Sequence, residues 1–245
     1  MLLCREMAAT DTRRRVLDAA LKCFLQEGHE ATTIARIREL SGVSNGALFH
    51  HFASKEAIAS ALYVEAISSF QAGLWELLAG KPRSLRAAVR GTIAHQLGWI
   101  QEHPDLASFV YMRGHLDWDT PAGAEVAALN RELAAAFRGR LEPFVNAGEV
   151  RPMSMTLITA IVAAPAHAIA RRWLAGHLSG SPLDHLDDLA DAAWAGLRGK
   201  PAPGRGAKAK APRNACVNVE LLDDDGSVLA RGRACTTLEA AAVTA

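Results

Sequence analysis

The stretch TTIARIRELSGVSNGALFHHFASKEAIASALY, residues 32–63, places two short helical patterns around a glycine. The hydroxyls of Thr32 and Thr33 suit a helix start, where first-turn amides lack partners. Ile34, Ile37 and Leu40 then recur at helical spacing, and the pattern ends at Ser41-Gly42. Gly42 can take the left-handed conformation of a tight interhelical turn, Val43 can plug the core beneath it, and Ser44 can cap the second helix. That helix, Asn45 to Phe49 or slightly beyond, is very short. A long one starts near Ser54-Lys55-Glu56 and passes Leu62, Ile67, Phe70 and Leu74 to Leu78, where Gly80-Lys81-Pro82 breaks it. Upstream, residues 11–27 repeat Val16, Leu17, Ala20, Leu21 and Phe24 on one face, with Asp11 or Thr12 as cap and Gly28 as stop. Two short helices joined this way form a helix-turn-helix. A dimer can set one such second helix in each of two successive major grooves of DNA.

With the preceding helix, this stretch closely resembles the tetracycline-repressor (TetR) family. The resemblance covers residues 13–63 without a gap and includes Thr33, Ile37, Gly42-Val43-Ser44, Gly46, Leu48, Phe52, Lys55 and Glu56. It implies an all-α fold: an N-terminal three-helix DNA-binding domain over residues 11–58, then a helical ligand-binding and dimerisation domain over 59–198. Thr33 and Ser44 sit at helix N-termini, which suit phosphate oxygens. Lys55 is a point charge for the DNA backbone, as the resemblance also implies. Asn45, Ala47 and His50 should project towards base edges, and Gly46 should let the helix approach closely. Phe49 and His51 share that helix and count among the candidate DNA contacts. Ile37, Val43, Leu48 and Phe52 read as the module's own core.

The chain departs from the family pattern at three positions. Phe49 stands where the family commonly has a tyrosine whose hydroxyl reaches a phosphate. Arg38 and Ser41 stand where it usually has alanine. Arg38 either faces outward as a further phosphate contact or alters the helix packing. The plain alternative is an ordinary helical hairpin. A wider one is a helical interaction protein with a weakened DNA-reading helix, for which Phe49 and Arg38 are the support.

Elsewhere the composition is ordinary, with 50% hydrophobic residues, 22% charged and a formal net charge of +1. Any field that attracts DNA must therefore be local. Between Thr32 and Lys55 there are three Lys/Arg and one acidic residue, a mildly positive balance. MLLCREMAAT is too short in apolar residues for a signal peptide, and its first six residues read as an overhang before Met7. No stretch approaches the roughly 18 apolar residues of a membrane span. A cytoplasmic, nucleoid-associated protein without membrane partners is expected. The four cysteines, at 4, 23, 216 and 235, make no C-x-x-C pair. His95, His103, His115, His167, His177 and His185 make no compact ligand set, so no metal is expected. Without a nucleophile elbow, P-loop, dinucleotide fingerprint or paired carboxylates, neither an enzyme nor a cofactor is expected.

Further helices are predicted near 84–102, 105–114, 122–147, 153–178 and 183–198, with Pro143 and Pro165 kinking or interrupting two of them. By resemblance this region encloses a pocket for a small-molecule effector and pairs its last two helices with their copies in a homodimer. Trp99, Phe109, Met112, Trp118, Phe137 and Phe144 are candidate pocket residues, with simple core as the alternative. Ala160, Ala164, His167, Arg171, Leu186, Leu189 and Ala193 are candidates for the dimer interface. The resemblance thus implies a repressor that leaves a pseudo-palindromic operator when its effector binds.

Residues 199–213, GKPAPGRGAKAKAPR, mix Pro, Gly and Ala with five positive charges and no acidic residue, which describes a solvated linker. Beyond it, residues 214–245 form either a strand-strand-helix appendage or a disordered tail. Asp225-Gly226 would be the hairpin turn. Centring there sets Glu220 opposite Arg231, Asn218 opposite Arg233 and Cys216 opposite Cys235. Val217, Val219 and Leu221 share the other face with Val228 and Ala230. Thr236 and Glu239 would form a capping box for the helix.

Overall fold

A computed structural model describes the chain apart from residues 1, 81, 83, 113–118, 200–213, 223–227 and 238–245. Residues 2–10, 112, 214–222 and 228–237 are described by their backbone. The chain falls into two compact units, Met1–Lys200 and Pro201–Ala245.

The first unit is helical: α1 (Leu2–Glu27), α2 (Ile34–Ser41), α3 (Asn45–His51), α4 (Lys55–Ala79), α5 (Leu85–Glu102), α6 (Pro104–Met112), α7 (Pro121–Asn146), α8 (Met155–Leu174) and α9 (Leu186–Leu197). A 3₁₀ turn at Pro182–His185 leads into α9. These bounds lie close to the predicted ones because each of six helix starts has a side-chain cap. Thr33, Ser44, Ser54, Ser84, Thr120 and Ser154 each accept a first-turn backbone amide. Three details differ. Helix α1 starts at Leu2, so Asp11 and Thr12 are interior rather than capping residues. Thr32 is buried and donates its hydroxyl to the Gly28 carbonyl (2.7 Å) instead of capping α2. Neither internal proline interrupts its helix: Pro143 lies in the last turn of α7, and α8 continues through Pro165.

Two larger cores result. The first joins Val16, Leu17, Ala20 and Phe24 of α1 to Ile37, Leu48, Phe52, Ile58 and Leu62, and draws in Phe109 of α6. Leu40, expected inward, is 43% exposed. The second packs α5, α8 and α9 through Ile93, Leu97, Val162, Ala166, Leu186, Ala193 and Leu197. On its surface Arg86 and Arg90 of α5 pair with Asp191 and Asp187 of α9 at 2.6 and 2.9 Å. A smaller cluster of Ala66, Trp99, Ile100, Ala107 and Ala170 lies where α4, α5, α6 and α8 meet.

In the second unit, β1 (Asn214–Leu222) and β2 (Val228–Thr237) pair antiparallel. The register sets Cys216 opposite Cys235, Asn218 opposite Arg233 and Glu220 opposite Arg231, as the alternation predicts. A shift between Leu221 and Leu222 pairs Leu222 with Val228. This irregularity moves Val228 away from the face of Val217, Val219 and Leu221, because one extra residue reverses the pleat. Strand β2 keeps Thr236 and Thr237, so Thr236 does not open a helix. The linker from 200, the Asp225-Gly226 turn and Glu239 lie outside the described residues.

Candidate DNA-reading helix and ligand cavity

The turn between α2 and α3 is built from backbone. Gly42 adopts φ 65° and ψ 22°, and its amide reaches the Arg38 carbonyl. Arg15 of α1 clamps the turn by donating to the Ser41 carbonyl (2.7 Å). A Cβ at Gly42 would meet that guanidinium at 3.0 Å in a left-handed backbone, so both space and conformation call for glycine. Ser41 is buried, and its hydroxyl returns to the Arg38 carbonyl (3.0 Å). It fits an alanine-sized site without an orphan polar atom.

Helix α3 buries Leu48 and turns Asn45, Gly46, Phe49 and His50 outward, while Ala47 and His51 are half-buried. Nothing lies within 4 Å of a Cβ built on Gly46, so the helix surface there is flat and open. The Thr33 and Ser44 hydroxyls accept from Arg36 N and Ala47 N, both at 3.2 Å. Each keeps its own proton to donate. Lys55 is differently engaged from the sequence expectation. Its ammonium donates to the carbonyls of His29 (2.7 Å) and Glu30 (3.2 Å), holding the end of α1 against the start of α4. Arg38 is exposed on α2.

Below, α4 to α8, with Leu197 of α9, line a partly open cavity of about 980 Å³. Trp99, Phe137 and Phe144 line it, as expected. Phe109 does not: it is 3% exposed and stacks on Phe24 of α1, ring centres 5.8 Å apart. Its apolar helical setting made it look like a pocket residue, but α6 turns it the other way. The Met112 side chain and Trp118 lie outside the described residues. Sequence reasoning missed Gln71, Gln96, Tyr111 and Asn130, all of which line the cavity. For Gln71 a signal existed, since it interrupts the apolar stripe Ile67, Leu74, Leu78 at helical spacing.

Tyr111 and His167 meet inside the cavity, hydroxyl to Nδ1, with the Arg171 guanidinium 5.3 Å from the tyrosine ring centre. Desolvation pushes the Tyr111 hydroxyl up to about 12. Desolvation, then the Arg171 charge, holds His167 below the ordinary imidazole value. At neutral pH the ring is therefore uncharged, and the proton of this contact sits on the hydroxyl or on Nδ1 according to the tautomer.

The candidate dimer residues scatter. Leu186 and Ala193 are buried in the protomer's own core, and Leu189 packs against the same cluster. They form the inner stripe of α9, turned towards α5 and α8 within the protomer. Ala160, Ala164 and His167 are exposed but line the cavity, while Arg171 is exposed beside Tyr111. The exposed small and apolar residues that avoid the cavity include Leu157, Pro165 and Ala168 on α8 and Ala192 and Ala195 on α9.

Residues 16–62 match the model of the bacterial regulatory proteins of the tetR family. The HTH-type transcriptional repressor Rv1474c of Mycobacterium tuberculosis is 34% identical over 140 residues, 57% of this chain and 69% of that protein. The chain belongs to the TetR family. Among solved structures, a TetR family transcription regulator from Marinobacter aquaeolei VT8 is similar with a TM-score of 0.67 at 20% identity, covering 80% of this chain and all (100%) of that one. The transcriptional regulator FadR from Bacillus subtilis, solved in complex with stearoyl-CoA, has a TM-score of 0.63 at 13% identity over 76% of this chain and 99% of that one. At such identities the likeness concerns the fold. It extends the TetR architecture from the matched head through the cavity-bearing helices.

Within the TetR frame, the departure at Phe49 is a surface one. The ring is 49% exposed on α3, so a tyrosine there would direct its hydroxyl into solvent without disturbing the core. Phe49→Tyr is expected to leave thermal stability unchanged and to tighten DNA binding by about 1 kcal/mol through one added phosphate bond. Titration of both proteins on the same duplex checks this; equal affinities would mean that position 49 meets no phosphate.

Proposed function

We propose that this TetR-family chain is a transcriptional repressor that binds a pseudo-palindromic operator as a homodimer and leaves it when a small molecule fills the cavity. The observation that carries the reading is the junction of Phe109 with Phe24, which packs cavity-bearing α6 directly on α1 of the DNA-binding head. A ligand that shifts α6 must repack this junction, and packed junctions switch between arrangements rather than deform smoothly. An effect on DNA then requires different ligand affinity for the two arrangements. The repressor name of the mycobacterial relative and the acyl-CoA bound to FadR support the same reading. The division into a head over 11–58 and a body over 59–198 belongs to it, as does a non-enzymatic role.

On α3, Asn45 and His50 are the proposed base readers. Thr33, Ser44, Gly46, Ala47, Phe49 and His51 form the surrounding contact surface, and Lys55 contributes charge. Selection of bound duplexes from a random pool tests the operator, and titration against salt tests the mode, since phosphate contacts make affinity fall steeply as salt rises. Asn45→Ala is expected to cost about 1–3 kcal/mol on the selected operator and little on scrambled DNA. Lys55→Ala should weaken both alike and also lower the melting temperature, because it releases the His29 and Glu30 carbonyls. Equal losses on both duplexes for Asn45→Ala would remove it from base reading.

A further inference from the structure

The second unit brings two of the chain's four cysteines into register. Strands β1 and β2 run antiparallel with Cys216 and Cys235 as direct partners. Direct partners in such a ladder have α-carbons about 4.5–5.5 Å apart, whichever kind of ladder position they occupy. Disulfides span α-carbon separations of about 4.4–6.8 Å, so the register meets this requirement without moving the backbone. Opposed residues also share one face of the sheet. The adjoining pairs on that face are Asn214 with Thr237 and Asn218 with Arg233, so the one charge among them is basic. A cation next to a thiol favours the thiolate, the form that attacks a disulfide. Cys23 is the contrasting case: it is buried in the core of the helical unit, and desolvation pushes its thiol up.

The hairpin has little else to fix it. A two-stranded sheet is marginal in water by itself. Val217, Val219 and Leu221 oppose Ala234, Gly232 and Ala230, so β2 offers small apolar partners, and Gly232 weakens the strand interior. A one-residue slip would put the two cysteines on opposite faces. The pair lies near the Asn214–Thr237 end of the ladder, while the shift at Leu221/Leu222 lies at the other. A bond between them removes conformational freedom from the unpaired chain and excludes the slipped register.

We propose that Cys216 and Cys235 are a reversible dithiol–disulfide pair that locks the hairpin register, with a small-molecule disulfide as oxidant. One cysteine thiolate attacks a sulfur of that disulfide, forming a mixed disulfide and releasing one reagent thiolate. The opposed cysteine, its proton lost to solvent, attacks the protein-side sulfur, forms the Cys216–Cys235 bond and releases the second thiolate. The protein gives up two electrons and two protons, and the reagent becomes two thiols. Linkage sets the size of the effect. The factor by which the paired strands favour the disulfide is the factor by which the disulfide favours the paired strands. This chemistry is independent of the ligand-responsive reading above.

The test equilibrates the full chain in glutathione buffers of graded ratio, native and in urea, followed by alkylation and peptide mapping. The Cys216–Cys235 bond should form within one chain, about tenfold more favourably in the native protein than in urea, and dithiothreitol should reverse it. Amide exchange over 214–222 and 228–237 should slow about tenfold on oxidation. Cys216→Ser and Cys235→Ser should each abolish the slowing, while Cys4→Ser leaves it intact. Pairing mainly between chains or with glutathione would overturn the proposal. So would an equal tendency to form the bond in urea, exchange unchanged by oxidation, or slowing that survives either serine substitution in the pair.

Discussion

Phe109→Ala is expected to destabilise the protein by about 3–5 kcal/mol, the range for truncating a buried phenylalanine. The ring is 3% exposed and stacked on Phe24, so its removal opens a void among α1, α4 and α6. Against a typical total stability of about 5–15 kcal/mol this is a large fraction. Chemical denaturation, comparing midpoints at constant slope, measures it. A milder change separates stability from signalling. Phe109→Leu keeps the site filled but loses the stacked ring, and should preserve DNA binding while reducing its response to a cavity ligand. A loss below about 1 kcal/mol for the alanine variant would mean that α6 and the head are not tightly packed, and would remove the basis for the coupling proposed above.

Ala168→Glu is expected to convert a homodimer to monomers and to weaken operator binding at least a hundredfold, roughly 2.7 kcal/mol. Ala168 is exposed on α8 and absent from the cavity lining. The carboxylate should therefore leave the protomer's fold and ligand binding intact. Buried against a second copy, it would be an unpaired charge, which costs several kcal/mol. A monomer offers one reading helix where the operator has two half-sites. Sedimentation and DNA titration on one preparation give both readouts. Should Ala168→Glu remain dimeric, the partner does not pack on this face of α8. Leu189→Glu is the poorer probe, because Leu189 packs against the protomer's own core and its loss would disturb folding first.

Local chemistry made much of this protein legible from its residues alone. Caps and glycines act within four residues, so Thr33, Gly42, Ser44 and Ser54 marked the helix-turn-helix correctly, and the chain's place in the TetR family came from that run. Period-2 alternation likewise foretold the Cys216–Cys235 register of the strands, although the shift beside Leu222 was invisible to it. What periodicity cannot say is which neighbour a buried face meets. Phe109 and Trp99 look alike in sequence, yet one closes the junction with α1 and the other lines the cavity. Leu186 and Ala193 form an apolar stripe that suits a partner subunit equally well, and tertiary packing turned it onto α5 and α8. Lys55 was recognised as a cation, but only the fold brings the His29 and Glu30 carbonyls within its reach. Helix starts and turns are decided by bonds within a few residues, and so they are written in the sequence. Partners and cavities depend on contacts between distant segments, and only the tertiary structure decides those.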